Sequence, residues 1–162
     1  MKKAIAISVA RPEDLPDLIR LVRAYYRYDG IRYRRALVPA ALERLLRGDA
    51  PARVWMARDE LRAAGYIAFS YHYDAEFGGL EGVITDLFVH RVYQGQGLGS
   101  RLLETVEDYC RSAGIGSIEL QVIEKNRAAA QFYSKHGFRR LGRIIMARDI
   151  AKRRSGGKVR KR

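Results

Sequence analysis

The chain has 162 residues, which suits one domain with a core of its own, since ~100–200 residues per domain is usual. Hydrophobic residues make up 48%, which excludes wholesale disorder, and no apolar run approaches the ~18 residues of a membrane-spanning helix. Net charge is +13, the lone Cys110 excludes an intrachain disulfide and a cysteine-cluster metal site, and His72, His90 and His136 show no metal-ligand spacing.

Residues 4–9 read as a first strand. The basic, briefly apolar start lacks a long apolar stretch and a cleavage site, so a cytoplasmic protein is expected. Arg11-Pro12-Glu13-Asp14 opens a helix, because Pro is tolerated in a first turn and acids suit its positive end. Leu15, Leu18, Ile19, Val22 and Tyr26 keep helical spacing. After a basic, aromatic loop, Val38, Leu42, Leu45 and Leu46 mark a shorter helix that Gly48 stops. From Ala52 the period changes: 53–58 and 62–73 read as a hairpin. Residues 74–79 are a turn-rich loop, and 80–89 a strand apolar enough to be buried on both faces. A glycine loop spans 94–99. Leu98, Leu102, Val106 and Cys110 recur at i+4, giving a helix over 98–113 capped by Gly114. Residues 117–123 alternate as a strand, 126–136 form a helix, and 138–150 read as a last strand. The organisation is one domain over 1–150 and a basic, flexible C-terminal tail over 151–162, with seven basic residues, no acid, and Ser155-Gly156-Gly157 as a linker. Three consecutive strands followed by strand–helix alternation give an α/β (α+β) fold, a mixed sheet with helices on its faces.

The informative segment is Gln94-Gly95-Gln96-Gly97-Leu98-Gly99-Ser100, between a buried strand and a helix. Glycines let main chain approach an anion, and a helix N-terminus offers unpaired N–H groups and partial positive charge. Together they make a phosphate cradle, or else a glycine-rich turn with no ligand. No lysine follows as in a Walker loop. The third position of a dinucleotide fingerprint falls on Ser100 or Leu102, so nucleotide hydrolysis and hydride transfer are disfavoured.

Gln94-x-x-Gly97-x-Gly99 resembles the Arg/Gln-x-x-Gly-x-Gly/Ala signature of the GNAT N-acetyltransferases. Ile84-Thr85-Asp86-Leu87-Phe88-Val89 is similar to the strand before that loop. The segment from Asn126 to Phe138 is similar to the family's Asn-x-x-Ala-x-x-x-Tyr-x-x-x-Gly-Phe. The resemblance covers residues 4–150 and is strongest over 80–140. It implies a mixed, mostly antiparallel central sheet flanked by helices, with splayed strands forming an acyl-CoA groove. It implies acetyl-CoA as co-substrate without a metal. The reaction would be direct attack, in a ternary complex, by the primary amine of a small amine, an amino acid or a peptide or protein.

Residue by residue, the resemblance implies that the main chain of Leu87, Phe88 and Val89 pairs with the pantetheine arm, as an added strand would. Amides of Gln94, Gly95, Gln96, Gly97, Leu98, Gly99 and Ser100 would take the pyrophosphate. A bulge amide in the preceding strand, of Leu87 or Phe88, would polarise the thioester carbonyl. Asn126 would touch the cofactor, though an Asn there is also a good helix N-cap. Tyr133 would contact the cofactor and protonate the departing thiolate, unless it packs in the core beside Phe132. Arg91, Arg101, Lys125, Arg127 and Lys135 flank the groove.

An amine of pKa ~10.4 costs about 4–5 kcal/mol to deprotonate at neutral pH, so a base is needed. Some relatives carry Glu where this chain has Thr85, which leaves Asp86, Glu81, Glu76 or a water chain. Asp86 comes first, because a charge in an apolar strand is costly unless used; a salt bridge would explain it as well. Tyr25, Tyr26, Tyr28, Tyr33, Tyr71 and Tyr73 stand near the expected substrate mouth, where aromatics grip cations or simply pack. Tyr26, Tyr71 and Glu76 are the acceptor-binding candidates. His90 and His136 read as surface residues and Cys110 as core. The alternative is a noncatalytic GNAT-like basic module that binds nucleic acid or ribosomes, aided by the tail. Relatives often form homodimers, but no interface is legible, and no membrane partner is expected.

Overall fold

Up to residue 137 the changes of hydrophobic period become changes of element in the computed structural model, which describes residues 4–60 and 62–148. The strands are β1 (Ala6–Val9), β2 (Ala52–Arg58), β3 (Ala63–Asp74), β4 (Gly79–Val89) and β5 (Ser117–Leu120). The helices are α1 (Leu15–Asp29), entered through a single tight turn at Pro12–Asp14, α2 (Val38–Leu46), α3 (Leu98–Ala113) and α4 (Arg127–Lys135). The five strands lie in chain order in one sheet. β1 to β4 pair antiparallel, while β4 and β5 are parallel. Parallel neighbours need a long crossover, and α3 supplies it.

Strand alternation divides the core between the two faces. On one face α3 buries Leu98, Leu102, Leu103, Val106 and Cys110 against Trp55, Ile67, Phe69 and Ile84. On the other, α1 buries Leu18, Leu21 and Val22 against Val54, Met56, Tyr66 and Ala68. Fully burying one such aliphatic side chain is worth about 1.5–3 kcal/mol, so both helices are held by packing. Arg58 pins the start of α1 to β2, donating to Asp14 and Asp17 at 2.6 Å each. Cys110 belongs to the core, and burial pushes its thiol up to about 11, out of reach of thiolate chemistry at neutral pH.

Three expectations need correction. β5 ends at Leu120 rather than 123, because the chain turns away from β4 beyond that residue. Residues 138–148 form no strand: Gly142 adopts φ +67°, and Ile144, Ile145 and Met146 follow one another exposed instead of alternating. The remainder of that expected strand and the basic tail over 151–162 lie outside the described residues. His136 is half-buried rather than a surface residue. Its Nδ1 donates to the Phe132 carbonyl (2.8 Å), which leaves Nε2 to accept from the Ser100 hydroxyl (2.9 Å) and ties α4 to the start of α3. Among the described residues no helix is long and apolar enough to cross a membrane.

Candidate active site

The site begins with a fault in the sheet. Along β3, the partner of Ala68 is Asp86 but that of Phe69 is Ile84, so Thr85 is one residue too many. Such a bulge bends its strand. Pairing with β5 stops at the same point, at Ile84 and Leu120. Beyond it the two strands part, and a cleft of about 290 Å³ opens between the end of β4 and the segment leading to α4. Thr85, Leu87, Phe88 and Val89 line one side, Gln121, Val122, Ile123 and Asn126 the other, and Tyr25, Tyr28 and Asp29 of α1 close it from above.

The ladder decides which main-chain groups this edge presents. His90 donates its amide to the Ala64 carbonyl at 2.8 Å. Alternate residues of an antiparallel strand point the same way. Phe88 therefore spends its main-chain groups on β3, while Leu87 and Val89 turn theirs to the open edge. The bulge itself lies at Thr85, not at Leu87 or Phe88, and Leu87 carries the first free amide after it.

At the other end of the edge the glycine loop starts α3. Gly95 and Gly97 adopt φ +71° and +77°, and the position of a Cβ on either is open space. The first intrahelical bond runs from Arg101 to the Gly97 carbonyl (3.1 Å), which leaves the amides of Leu98, Gly99 and Ser100 without a partner in the helix. The Gln94 side chain donates to the Val89 carbonyl (2.9 Å) and fastens the loop to the strand. Of this loop, Gln94 and Gly99 line the cleft itself; Leu98 is buried in the core, so it offers only its amide. Gly99 stands where a Cβ would lie 3.4 Å from the Phe132 ring, which lets α4 sit close to α3. Open left-handed glycines, amides without helix partners and a free strand edge lie at one end of the sheet, and they are the kinds of donors that can hold a diphosphate and an amide-bearing arm.

Tyr133 of α4 projects into this cleft. Burial, followed by the charges of Asp86 and Asp29, pushes its hydroxyl up to about 12, so it stays protonated at neutral pH. Asp86 lies just behind the lining. Its Oδ2 accepts from the Tyr66 hydroxyl at 2.9 Å. Burial raises its pKa, the Tyr66 bond lowers it, and Asp29 raises it again. The Asp86 charge also raises the pKa of Tyr25 and Tyr26, after burial in both cases. Asn126 is an N-cap as well as a lining residue: its Oδ1 accepts from the Ala129 amide (3.1 Å), and its Nδ2 donates to Asp29 Oδ1 (3.0 Å).

Four of the sequence candidates stand apart from the cleft. Tyr26 packs beside it against Tyr25 and Tyr33. Glu81 is buried at the other end of β4, 3.7 Å from His72 and in a group with Asp74. Five residues of strand, about 16 Å, separate it from Asp86. Tyr71 lies opposite Gly82 near the same end, and Glu76 pairs with Arg143. Sequence reasoning missed Asp29 and Tyr66. A signal for Asp29 existed: it is an acid in the last turn of a helix, where the dipole disfavours negative charge.

The family model described as "Acetyltransferase (GNAT) family" matches residues 15–138. Thialysine N-epsilon-acetyltransferase of Bos taurus is 23% identical over 142 residues, covering 82% of this chain and 83% of that protein. Among solved structures, an integron cassette protein, HFX_CASS3, from the mobile metagenome of Cole Harbour Salt Marsh is similar at TM-score 0.77. It is 27% identical, with 90% of this chain and 91% of that one covered. A possible acetyltransferase from Clostridium difficile 630 has the same fold at TM-score 0.80 and 16% identity, covering 91% and 99%.

Proposed function

Because the chain belongs to the GNAT family of acetyltransferases, we propose that it transfers the acetyl group of acetyl-CoA to a primary amine. The observation that carries the reading is the coincidence, at Thr85, of the β4 bulge with the end of β4–β5 pairing, facing Tyr133. The name of the thialysine-acetylating relative supports an amine acceptor. Acetyl-CoA supplies an activated acetyl thioester. The amides of Gly95, Gly97, Leu98, Gly99 and Ser100 hold its diphosphate, the open edge at Leu87 and Val89 pairs with its arm, and Asn126 guards the mouth. The Leu87 amide donates to the thioester oxygen as negative charge develops there. As the new C–N bond forms and the C–S bond breaks, Tyr133 passes its hydroxyl proton to the sulfur. Asp86 receives the proton of the amine, directly or through a water.

An acceptor screen that reads free thiol released from acetyl-CoA tests this. Thiol release with some amines above the rate of hydrolysis supports it; release that never exceeds hydrolysis refutes it. The base assignment makes a separate prediction. A carboxyl whose pKa is raised stays protonated to higher pH, so activity falls, on acidification, at a higher pH than an ordinary carboxylate would set. Tyr66→Phe removes the bond that favours the Asp86 carboxylate. The acid limb of the kcat/KM profile should then move to still higher pH. An unmoved limb would assign the base elsewhere.

A further inference from the structure

The chain carries 31 Lys and Arg residues, yet among the described residues none lines the cleft, and the one charged residue there that does is Asp29. None of the described ion pairs involves it. It sits in the last turn of α1, where helix polarity opposes an acid, so the position costs stability unless something uses it. Asn126 reaches it at 3.0 Å across the cleft and the Tyr25 hydroxyl also donates to it, which fixes the carboxylate while leaving about half of its acceptor directions open. Tyr25 and Tyr28 lie beside it and suit the flank of a cation. Asp86 adds a second carboxylate behind the lining.

These two acids have different fates during acetyl transfer. The nitrogen that attacks must first lose its proton, so it cannot remain the counter-ion of both. Resting on the acetyl-transfer reading, we propose that Asp29 is a specificity-determining residue that binds a second positive charge on the acceptor, so that the preferred substrates are diamines or amines bearing a further cation. The reacting amine lies toward Asp86 and Tyr133, and the distal cation lies between Asp29 and the Tyr25 and Tyr28 rings.

The test is calorimetric titration of the full chain, loaded with CoA, with butanediamine and with the matching monoamine, butylamine. The wild type should bind the diamine at least about tenfold more tightly. Asp29→Asn keeps an oxygen for Asn126 and should shrink that preference to about twofold or less, while Asp29→Glu should restore most of it. Equal binding of the two amines by the wild type, or an undiminished preference in Asp29→Asn, would overturn the assignment. Failure of the parent reading looks different: there CoA itself gives no heat, before any amine is added.

Discussion

Tyr133→Phe should lower kcat at least about 100-fold while leaving the dissociation constant of acetyl-CoA within about twofold, as loss of a general acid does. The change removes one oxygen and keeps the ring. That ring packs edge-on against Phe132 and Phe138, with centroids 5.2 and 5.5 Å away, so α4 stays in place. What is lost is the single proton held at the cleft by a hydroxyl of pKa about 12. The high pKa keeps that proton in place through the neutral range, so the hydroxyl is present as a donor to the sulfur while the C–S bond breaks, and the oxygen afterwards regains a proton from solvent or the one released by the ammonium. Stopped-flow release of free thiol against an equilibrium titration separates the two quantities. A variant with unchanged turnover would remove Tyr133 from the chemistry and leave it a packing residue.

Gly97→Ala should weaken acetyl-CoA binding by about tenfold or more with a smaller effect on kcat. An L side chain at φ +77° costs about 1–2 kcal/mol, and the added methyl group projects into space that is open in the protein. In the proposed reading that space is where the diphosphate approaches the amides of Leu98, Gly99 and Ser100. The backbone strain alone can be measured at Gly114, which ends α3 at φ +70° with equally open surroundings, at the opposite end of the helix from the glycine loop. Gly114→Ala should lose comparable thermal stability and keep its affinity for acetyl-CoA. If both variants lose affinity alike, the loop acts through stability and not through contact.

The difference between what was readable and what was not follows the range of the interactions. α3 was legible to the residue, because four apolar residues at i+4 and a left-handed Gly114 are local facts. The glycine loop was legible for the same reason. The bulge at Thr85 was not, since it exists only as a mismatch of register with β3. Without it, Asp86 and Glu81 were two acids in one strand, and nothing local said which lay at the open end. Asp29 was overlooked because its partner, Asn126, is 97 residues away. Tyr66 reads as another strand aromatic until its hydroxyl is seen on Asp86. The expected strand after Phe138 is absent over its described residues, 138–148, for the opposite reason: they have β-forming character, but none of the described strands accepts them as a neighbour.

Acetyl transfer as proposed requires the glycine loop and the free edge of β4 to act together on one ligand, and heat of binding reports on that directly. Titration of the purified chain with acetyl-CoA and with CoA should give saturable, one-to-one binding that weakens in Gly97→Ala. A folded wild-type protein that evolves no heat with either compound would contradict the account at its root.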